Sequence, residues 1–301
     1  MKKVIICLVT AGILFHYNLF AENLLKHRFL AGCYSKGNVC IIDKEGKIEW
    51  KCEIGNDVQD TWLLPGGNIL VSYIHGVKEI DKSKKVVWEY KVPKEPYVEI
   101  HSAQPLDNGN ILIAECGTKR LIEIDRKGKI QKEIKLKTDQ ECHLQFRSAR
   151  KTARGTYWVA FLGDSKVEEV DGEGKVLRTI KLEEKKKSAH AVVELPNGNI
   201  LVTTGYSSGI KEINRYGDVV WEISKNDIAN AGVKKVGYAA GVQRLPNGNT
   251  VLSVYCGNPQ FIEITPDKKI ISTYFNKKLG HISSVNILDE KIISGKREIL
   301  R

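Results

Sequence analysis

The residues best suited to chemistry in this sequence are histidines and an arginine that recur at one position of an internal repeat. Each repeat contains a tight turn, and a count of nine residues back from the residue after the turn reaches the same place in every copy. In chain order this place holds Gln59, His101, Arg147, His190, Ala240 and Ser283. Imidazole is the usual base near neutral pH and a common metal ligand, and guanidinium pairs with carboxylate, sulfate or phosphate. We therefore expect an anion-binding site with His101 and His190 as candidate catalytic bases.

Further polar side chains are expected on the same face of the molecule. Side chains alternate along a strand, so residues two positions earlier lie on the same side as those above. Together with adjacent loops and the ends of second strands, these positions supply Asp57, His75, Glu115, His143, Gln145, Asp164, Tyr206, Tyr238, Tyr255 and His281. Cys116 and Cys256 also end second strands, and we interpret them as buried filler.

Each member of this set has an expected role. Arg147 is expected to hold a substrate carboxylate and to neutralise the charge that develops beside it. Tyr238 and His281 are the candidate proton donors. A divalent metal ion held by His101 and His190 is a candidate cofactor. The other substrate-binding candidates are Gln59, Glu115, His143 and Gln145. The alternative interpretation is a water-filled channel whose polar lining has no chemical role.

The repeat that must position these residues consists of four short β-rich runs. The clearest copy contains HAVVEL, ILVTT, IKEIN and VVWEI within residues 190–223, with turns such as Asn197-Gly198 between them. Such runs and turns are typical of antiparallel hairpins. The residue that ends the third run recurs at a spacing typical of propeller blades, at Asp43, Asp81, Asp125, Asp171, Asn214 and Thr265. The sequence thus predicts an all-β protein, a β-propeller of six four-stranded blades.

The two ends of the chain indicate how the ring closes. The first repeat begins at its second strand, near Phe29, whereas residues 282–288 form a spare innermost strand. We expect this spare strand to complete the first blade. A seventh, composite blade that uses residues 291–301 is the alternative.

The fourth run of the repeat carries a signature that ends in tryptophan. It spans residues 43–50 (DKEGKIEW), 81–88 and 214–221, and it resembles the repeat of the PQQ-like, or quinoprotein-type, β-propeller superfamily. The resemblance implies a propeller fold, in a superfamily that contains quinone-dependent dehydrogenases as well as binding and scaffold proteins. It does not imply bound PQQ, because the chain lacks the vicinal cysteine pair of the dehydrogenases. We expect the tryptophans to pack between blades.

Composition and the N-terminus bear on location and partners. Residues 1–21 have two lysines, a short apolar run and an alanine at the end, which predicts a bacterial signal peptide, and residues 22–301 are then a single propeller domain. We expect a periplasmic or secreted monomer, without a membrane span after cleavage. The net charge of +11 favours an anionic small molecule or glycan as partner. Nucleic acid is not expected, because no basic stripe carries interleaved aromatic residues.

Two classes of function fit this reading. The first is an enzyme that acts on an acidic sugar or oligosaccharide by β-elimination or hydrolysis, with or without a metal. Its residues resemble in kind those of secreted propeller polysaccharide lyases. The second is a propeller that binds such a ligand without catalysis, and a quinone-dependent redox protein is a weaker third. Motifs for serine hydrolases, zincins and P-loop proteins are missing from the sequence.

Overall fold

The computed structural model of the protein describes residues 25–55, 57–93, 95–182 and 187–289. The expected signal peptide and the tail after residue 289 lie outside the described residues. The described chain forms six sheets of four antiparallel strands, arranged as the blades of a β-propeller. The prediction of fold class is confirmed, and the described residues contain no strand of a seventh blade.

The blades follow one another along the chain. Blade one comprises β1 (Phe29–Cys33), β2 (Asn38–Ile42), β3 (Ile48–Glu53) and the closing strand β24 (Ile282–Ile287). Blade two comprises β4 (Val58–Leu63), β5 (Ile69–Tyr73), β6 (Gly76–Ile80) and β7 (Val86–Lys91). Blade three comprises β8 (Glu99–Pro105), β9 (Ile111–Cys116), β10 (Arg120–Ile124) and β11 (Ile130–Lys135).

The second half of the ring repeats the pattern. Blade four comprises β12 (Phe146–Lys151), β13 (Tyr157–Phe161), β14 (Lys166–Val170) and β15 (Val176–Lys181). Blade five comprises β16 (Ala191–Glu194), β17 (Ile200–Thr203), β18 (Ile210–Ile213) and β19 (Val219–Ile223). Blade six comprises β20 (Tyr238–Arg244), β21 (Thr250–Tyr255), β22 (Phe261–Ile264) and β23 (Ile270–Tyr274). The short helix α1 (Lys225–Asn230) links the last two blades and begins with a capping box of Ser224 and Asp227.

The C-terminal strand closes the ring as predicted. Strand β24 pairs antiparallel with β1, with Phe29 opposite Ile287 and Ala31 opposite Val285. The innermost strands β24, β4, β8, β12, β16 and β20 each contact the next one around the axis. All six strands run in the same sense, because every innermost strand begins on the same face of the propeller. We call this face the mouth.

The repeated residues of the sequence have local structural roles. Gly198 has a φ of 80°, which an L side chain rarely adopts, so glycine suits this hairpin between β16 and β17. Asp81 holds the turn between β6 and β7, because its Oδ1 accepts the Lys85 N–H at 2.9 Å. Asp125 accepts the Lys129 N–H at the same distance in the next blade. The acidic residue that marks the repeat is thus a turn-stabilising acceptor.

Tryptophans and glutamates join neighbouring blades. Trp50 Nε1 donates to the Lys82 carbonyl at 3.2 Å, and Trp221 Nε1 donates to the Pro266 carbonyl at 2.9 Å. This confirms that tryptophans pack between blades. In addition, a third-strand glutamate two residues before the turn-stabilising position faces a cationic or titratable side chain of the next blade. The pairs are Glu79 with Arg126, Glu123 with Lys151, Glu212 with Arg244 and Glu263 with His27.

The six described cysteines are free thiols, and Cys116 is fully buried, as expected for filler. Cys256 is only half-buried. Across the described residues, no helix has the length and apolar character needed to cross a membrane.

Candidate functional site

Five of the six equivalent positions counted from the turns lie at β-bulges of the innermost strands, whereas His190 directly precedes β16, whose pairing with β17 is regular. The register of β8 skips His101 and that of β12 skips Arg147, so each is the extra residue of its strand. The corresponding irregularities of β4, β20 and β24 fall at Gln59 with Asp60, Ala240 with Gly241, and Ser283. A bulge leaves the extra residue outside the ladder and re-aims its side chain. Five of the six equivalent positions line one axial cavity: Gln59, His101, Arg147, His190 and Ser283.

Hydroxyl groups on the second strands stabilise two of these bulges and the start of β16. They accept a backbone N–H from the innermost strand of the same blade at 2.7 to 3.0 Å. The donors and acceptors are Asp60 N–H to Ser72 Oγ, Ala191 N–H to Thr203 Oγ1, and Gly241 N–H to Ser253 Oγ. All three hydroxyl residues are fully buried, so an unsatisfied N–H there would be costly. These serines and threonine are therefore part of the device that turns side chains toward the axis.

A closed network of four side chains occupies the mouth at blades three and four. Glu99 Oε2 lies 2.9 Å from His101 Nε2 and 2.8 Å from His143 Nδ1. On the far side of the two rings, Arg147 Nη1 lies 2.8 Å from His101 Nδ1 and Nη2 lies 2.7 Å from His143 Nε2. Tyr97 donates to the second oxygen of Glu99 at 2.9 Å. The carboxylate and the guanidinium thus face each other across two imidazoles.

Arg147 fixes the tautomers of both rings. A guanidinium only donates hydrogen bonds, so the nitrogens that it contacts must offer lone pairs. His101 then carries its proton on Nε2 and His143 on Nδ1, and both protons point at Glu99. Both imidazoles are neutral in this arrangement. The network therefore contains one full positive and one full negative charge, which balance.

The electrostatics of the buried members agree with these protonation states. Burial lowers the pKa of His101 to about 3, and the neighbouring Arg147 charge acts in the same direction. Burial alone would raise the pKa of Glu99, but the hydrogen bonds from His101 and His143 bring it well below its usual range. His101 is 4% exposed, whereas the His143 side chain is 51% exposed at the rim. His101 is consequently a poor base, because Nδ1, the nitrogen that carries its lone pair, already accepts a hydrogen bond from Arg147.

His190 is placed differently. It lies within the channel, and burial together with the Arg147 charge holds its pKa well below the usual range. The imidazole makes a hydrogen bond with the backbone of Ala240, which raises its pKa, so the ring donates in that contact. Its Nδ1 is buried without a hydrogen-bond partner. Nδ1 is therefore the free lone pair, and His190 is the better candidate base.

Backbone strain surrounds this part of the mouth. Ala189 is fully buried with a φ of 72°, and Asp57 has a φ of 61°. Left-handed backbone is unfavourable for alanine by about 1–2 kcal/mol. Ala189 directly precedes His190, and Asp57 lies two residues before Gln59. Strain of this kind concentrates at functional sites, where the surrounding structure imposes it.

Aromatic rings line the opposite side of the mouth, at blades five, six and one. The Tyr238 ring lies edge-on to His190 at 5.0 Å and to Tyr206 at 4.7 Å between centroids. Tyr255 continues the strip, with His281 at 4.6 Å and Tyr34 at 5.3 Å. Burial raises the pKa of Tyr255 to about 12 and raises that of Tyr238 as well. The mouth thus has a charged side and an aromatic side.

The axial cavity between these sides has a volume of about 30 Å³. This is room for a water molecule or a group as small as a carboxylate. Four of its lining residues have a buried polar atom without a hydrogen-bond partner: Gln59 Nε2, Arg147 Nε, Ser148 Oγ and His190 Nδ1. Further along the strands, Arg150 and Asp60 form an ion pair at 2.9 Å that also lines the cavity. The site is therefore a narrow polar pocket under an open mouth.

Two residues expected to bind substrate have structural partners instead. Glu115 is fully buried, contacts Tyr90 of blade two, and accepts a hydrogen bond from Arg120 at 2.6 Å. Gln145 accepts the Gly117 N–H at 2.7 Å and donates to the Gln140 carbonyl at 3.1 Å. Gln145 belongs to the turn before β12 rather than to the strand, so strand alternation does not apply to it. Neither placement fits the expected role in substrate binding.

The expected metal ligands are also arranged differently. Among the described residues, Glu99, His101 and His143 are the group whose potential ligand atoms come together, within 4.8 Å of one another, and His190 is not a member. Arg147 requires lone pairs on His101 Nδ1 and His143 Nε2. A metal ion on the Glu99 side would need the lone pairs of the other two ring nitrogens. The ring protons would then have to sit on the nitrogens that face Arg147, where they would oppose its N–H groups. The set as it stands does not fit a resident metal ion, because Arg147 already fills the cationic role.

Glu99 is the central residue that sequence reasoning missed. The rule that selected Asp57 and Tyr238, two positions before the equivalent residue, reaches Glu99 in the third repeat. The signal was therefore present. Its importance lies in the two histidines that it orients, and one of these, His143, comes from a loop of the next blade.

Comparisons with known proteins place the chain among propellers. A family model described as Mal s 1 allergenic protein-like matches residues 129–220, which is less than half of the chain. No functionally curated protein matches the sequence. The match is to a different family from the PQQ-like superfamily, and the PQQ-type resemblance stays a prediction.

Solved structures share the fold over most of the chain. A protein of unknown function from Bacteroides caccae has 26% identity, a TM-score of 0.78, and coverage of 88% of this chain and 99% of its own. A streptogramin B lyase has 13% identity and a TM-score of 0.61, covering 87% of this chain and 98% of its own. A catalytically inactive virginiamycin B lyase from Staphylococcus aureus, solved with quinupristin, has 15% identity and a TM-score of 0.58, with 86% of each chain covered. At these identities the two lyases show a shared fold.

Proposed function

We propose that the mouth binds the carboxylate of an acidic sugar or oligosaccharide and promotes a lyase-type β-elimination. The observation that carries this proposal is the set of unpartnered atoms around the axial cavity. Arg147 Nε–H and the Gln59 amide are free donors, and His190 Nδ1 is a free lone pair beside them. Two donors and one base around a carboxylate-sized space match the needs of proton abstraction next to a carboxylate.

Each residue then has a defined task. Arg147 and Gln59 donate to the carboxylate, and the positive charge of Arg147 stabilises the enolate-like intermediate. His190 Nδ1 takes the proton from the carbon adjacent to the carboxylate. The electron pair of that C–H bond forms the new carbon–carbon double bond, and the bond to the leaving oxygen breaks. Tyr238, in ring contact with His190, returns a proton to the leaving oxygen.

The two-sided mouth supports a ring-shaped ligand. A pyranose ring can pack its C–H face on the exposed aromatic side, where Tyr206 is 58% exposed, while its carboxylate reaches Arg147. Glu99 acts as a positioning residue, because its contacts hold His101 and His143 as acceptors for Arg147. The lyases that share the fold are consistent with elimination chemistry on a propeller, although the compounds in their names are antibiotics rather than sugars. Periplasmic or secreted location, as a monomer, is part of the same proposal.

The test combines binding and turnover. Titration calorimetry with oligogalacturonate and with a neutral oligosaccharide of the same length measures the carboxylate preference. Ultraviolet absorbance of the unsaturated product measures elimination. We expect His190→Gln to abolish turnover and retain binding, and Arg147→Met to weaken acidic ligands at least tenfold. Equal binding of acidic and neutral ligands, or an unchanged rate in His190→Gln, would contradict the proposal.

Binding without catalysis is the second candidate, and the closed network favours it. Both Nη groups of Arg147 donate hydrogen bonds to His101 and His143. Nε is the guanidinium nitrogen that has no partner at the cavity. A preformed network of this kind is suited to a rigid recognition site. Selective, Arg147-dependent binding of acidic ligands with no product formed would assign this function in place of the lyase.

A further inference from the structure

The junction that closes the propeller contains a histidine between two carboxylates. His27 lies just before β1, and its Nδ1 contacts the Asp289 carboxylate just after β24. Its Nε2 lies 3.4 Å from Glu263 Oε2 in β22 of blade six. The side chains of His27 and Glu263 are 15% and 1% exposed. One imidazole thus connects the start of blade one, the closing strand and blade six.

Only the doubly protonated ring suits both neighbours. A neutral imidazole has one N–H and can donate to one carboxylate, whereas the imidazolium donates from both nitrogens. His27 Nε2 and Glu263 Oε2 have no other hydrogen-bond partner, and Asn249 donates to the other oxygen of Glu263 at 2.7 Å. Loss of the proton would leave lone pairs of His27 and Glu263 facing each other in a buried place. The contact would then become repulsive.

The other glutamate-mediated junctions described above use a permanent cation. Arg126, Lys151 and Arg244 occupy the place opposite the third-strand glutamate of the preceding blade. Arginine and lysine are cations near neutral pH as residue types, whereas histidine can be neutral or charged there. The closing junction alone among these four has a side chain that titrates in the physiological range. The difference falls where the two ends of the folded chain meet.

We propose that His27 is a proton-operated latch, which holds the closing strand and blade one against blade six when protonated and weakens that junction when neutral. The charged groups around it are Glu263 and Asp289, with Lys44 4.0 Å from Asp289, Lys26 near Glu263, and Arg28 engaged by Glu49. Burial would lower the pKa of His27, but the two carboxylates raise it overall. A folded-state pKa above the unfolded value gives stability that is present at low pH and lost as pH rises through the folded value.

The latch sits at the opposite end of β24 from the mouth. His281 and Ser283, at the start of that strand, contribute to the site, and the strand is held at its end by the Leu288 N–H to the Arg28 carbonyl at 2.8 Å. Release of the latch therefore weakens the anchorage of a strand that carries site residues. This inference does not depend on the proposed function.

The test measures urea unfolding of the full chain at pH 5.5, 6.5, 7.5 and 8.5. We compare the wild type with His27→Gln, and we use His75→Gln, an exposed histidine of blade two, as the matched control. The unfolding constant of His27→Gln should exceed that of the wild type by about tenfold at pH 5.5, and the gap should close by pH 8.5. His75→Gln should follow the wild type throughout. A gap that does not change with pH, or one shared by His75→Gln, would overturn the latch.

A direct readout covers the case in which His27→Gln does not fold. Nuclear magnetic resonance of the imidazole nitrogens in the wild type reports the protonation state of each ring, with Asp289→Asn used for assignment. We expect one ring other than that of His75 to remain doubly protonated above pH 6.5 and to lose part of this preference in Asp289→Asn. A ring that responds to Asp289→Asn but loses half of its protonation at or below pH 6.5, the value of an unperturbed imidazole, would reject the proposal.

Discussion

Arg147 Nη1 lies 2.8 Å from His101 Nδ1, and this contact removes the only lone pair of a histidine that otherwise looks like the central base. The other ring nitrogen of His101, Nε2, donates a hydrogen bond to Glu99. The histidine that lies deepest in the network is thus a structural link between two charges. The lone pair without a hydrogen-bond partner belongs to His190, one blade further on.

Replacement of Arg147 by lysine should damage the site although the charge is kept. An ammonium group is a single point and cannot bridge His101 and His143 while presenting a third donor to the cavity. We expect Arg147→Lys to weaken acidic ligands by about tenfold. Calorimetric titration measures this loss. Arg215→Lys, at an exposed arginine that contacts Tyr216, is the control and should bind normally.

Removal of the Glu99 charge should destabilise the protein and disorder the network. Glu99→Gln keeps the shape but replaces one acceptor oxygen with an N–H₂ group, which cannot receive both imidazole protons. A buried group left without its partner costs about 1–3 kcal/mol. Urea unfolding at pH 7 measures the loss. Glu141→Gln, at an exposed residue before His143, should have a much smaller effect. Equal stability of Glu99→Gln and wild type would show that the network contributes little.

Two histidines of the mouth, the buried His101 and the half-buried His190, should make the fold sensitive to acid. The folded-state pKa values of His101, about 3, and of His190 both lie below the unfolded value of 6.5. The unfolded chain therefore takes up protons first, and stability is lost as pH falls below 6.5. Each imidazole contributes a slope of up to about 1.4 kcal/mol per pH unit. Unfolding of His190→Gln between pH 6.5 and 4 should show a shallower loss than the wild type. Parallel curves would contradict this account.

Relief of backbone strain beside His190 should raise the free energy of unfolding and weaken the positioning of the His190 side chain. Glycine accepts the φ of 72° at Ala189 without steric cost, so Ala189→Gly should raise the free energy of unfolding by up to about 1 kcal/mol. Ala191→Gly, in the adjacent strand β16, should lower it instead. If the strain aims His190, the Ala189→Gly variant should also bind or turn over acidic ligands less well. Unfolding and binding curves of the two variants measure both effects.

The sequence was sufficient for the blade count, the closure and the common level of Gln59, His101, Arg147 and His190. The recurrent turns fix the register of each innermost strand, so a count from the turn finds equivalent residues. The bulges could not be predicted from the sequence, because an extra residue in one strand depends on the pairing of two strands and on hydroxyls such as Ser72. The role of His101 could not be predicted from the sequence either. Residue type predicts a base, whereas its hydrogen-bond partners decide whether a lone pair is free.

The closing strand has a consequence for how the protein is made. Among the described strands β1 is the first to be synthesised, and the strand that covers its edge, Ile282–Ile287, is the last. Until then an unpaired edge is exposed, which is a template for strands of other chains. The mouth is also incomplete until Ser283 arrives. Until β24 has been made, the chain therefore exposes the edge of β1 and lacks a complete axial cavity.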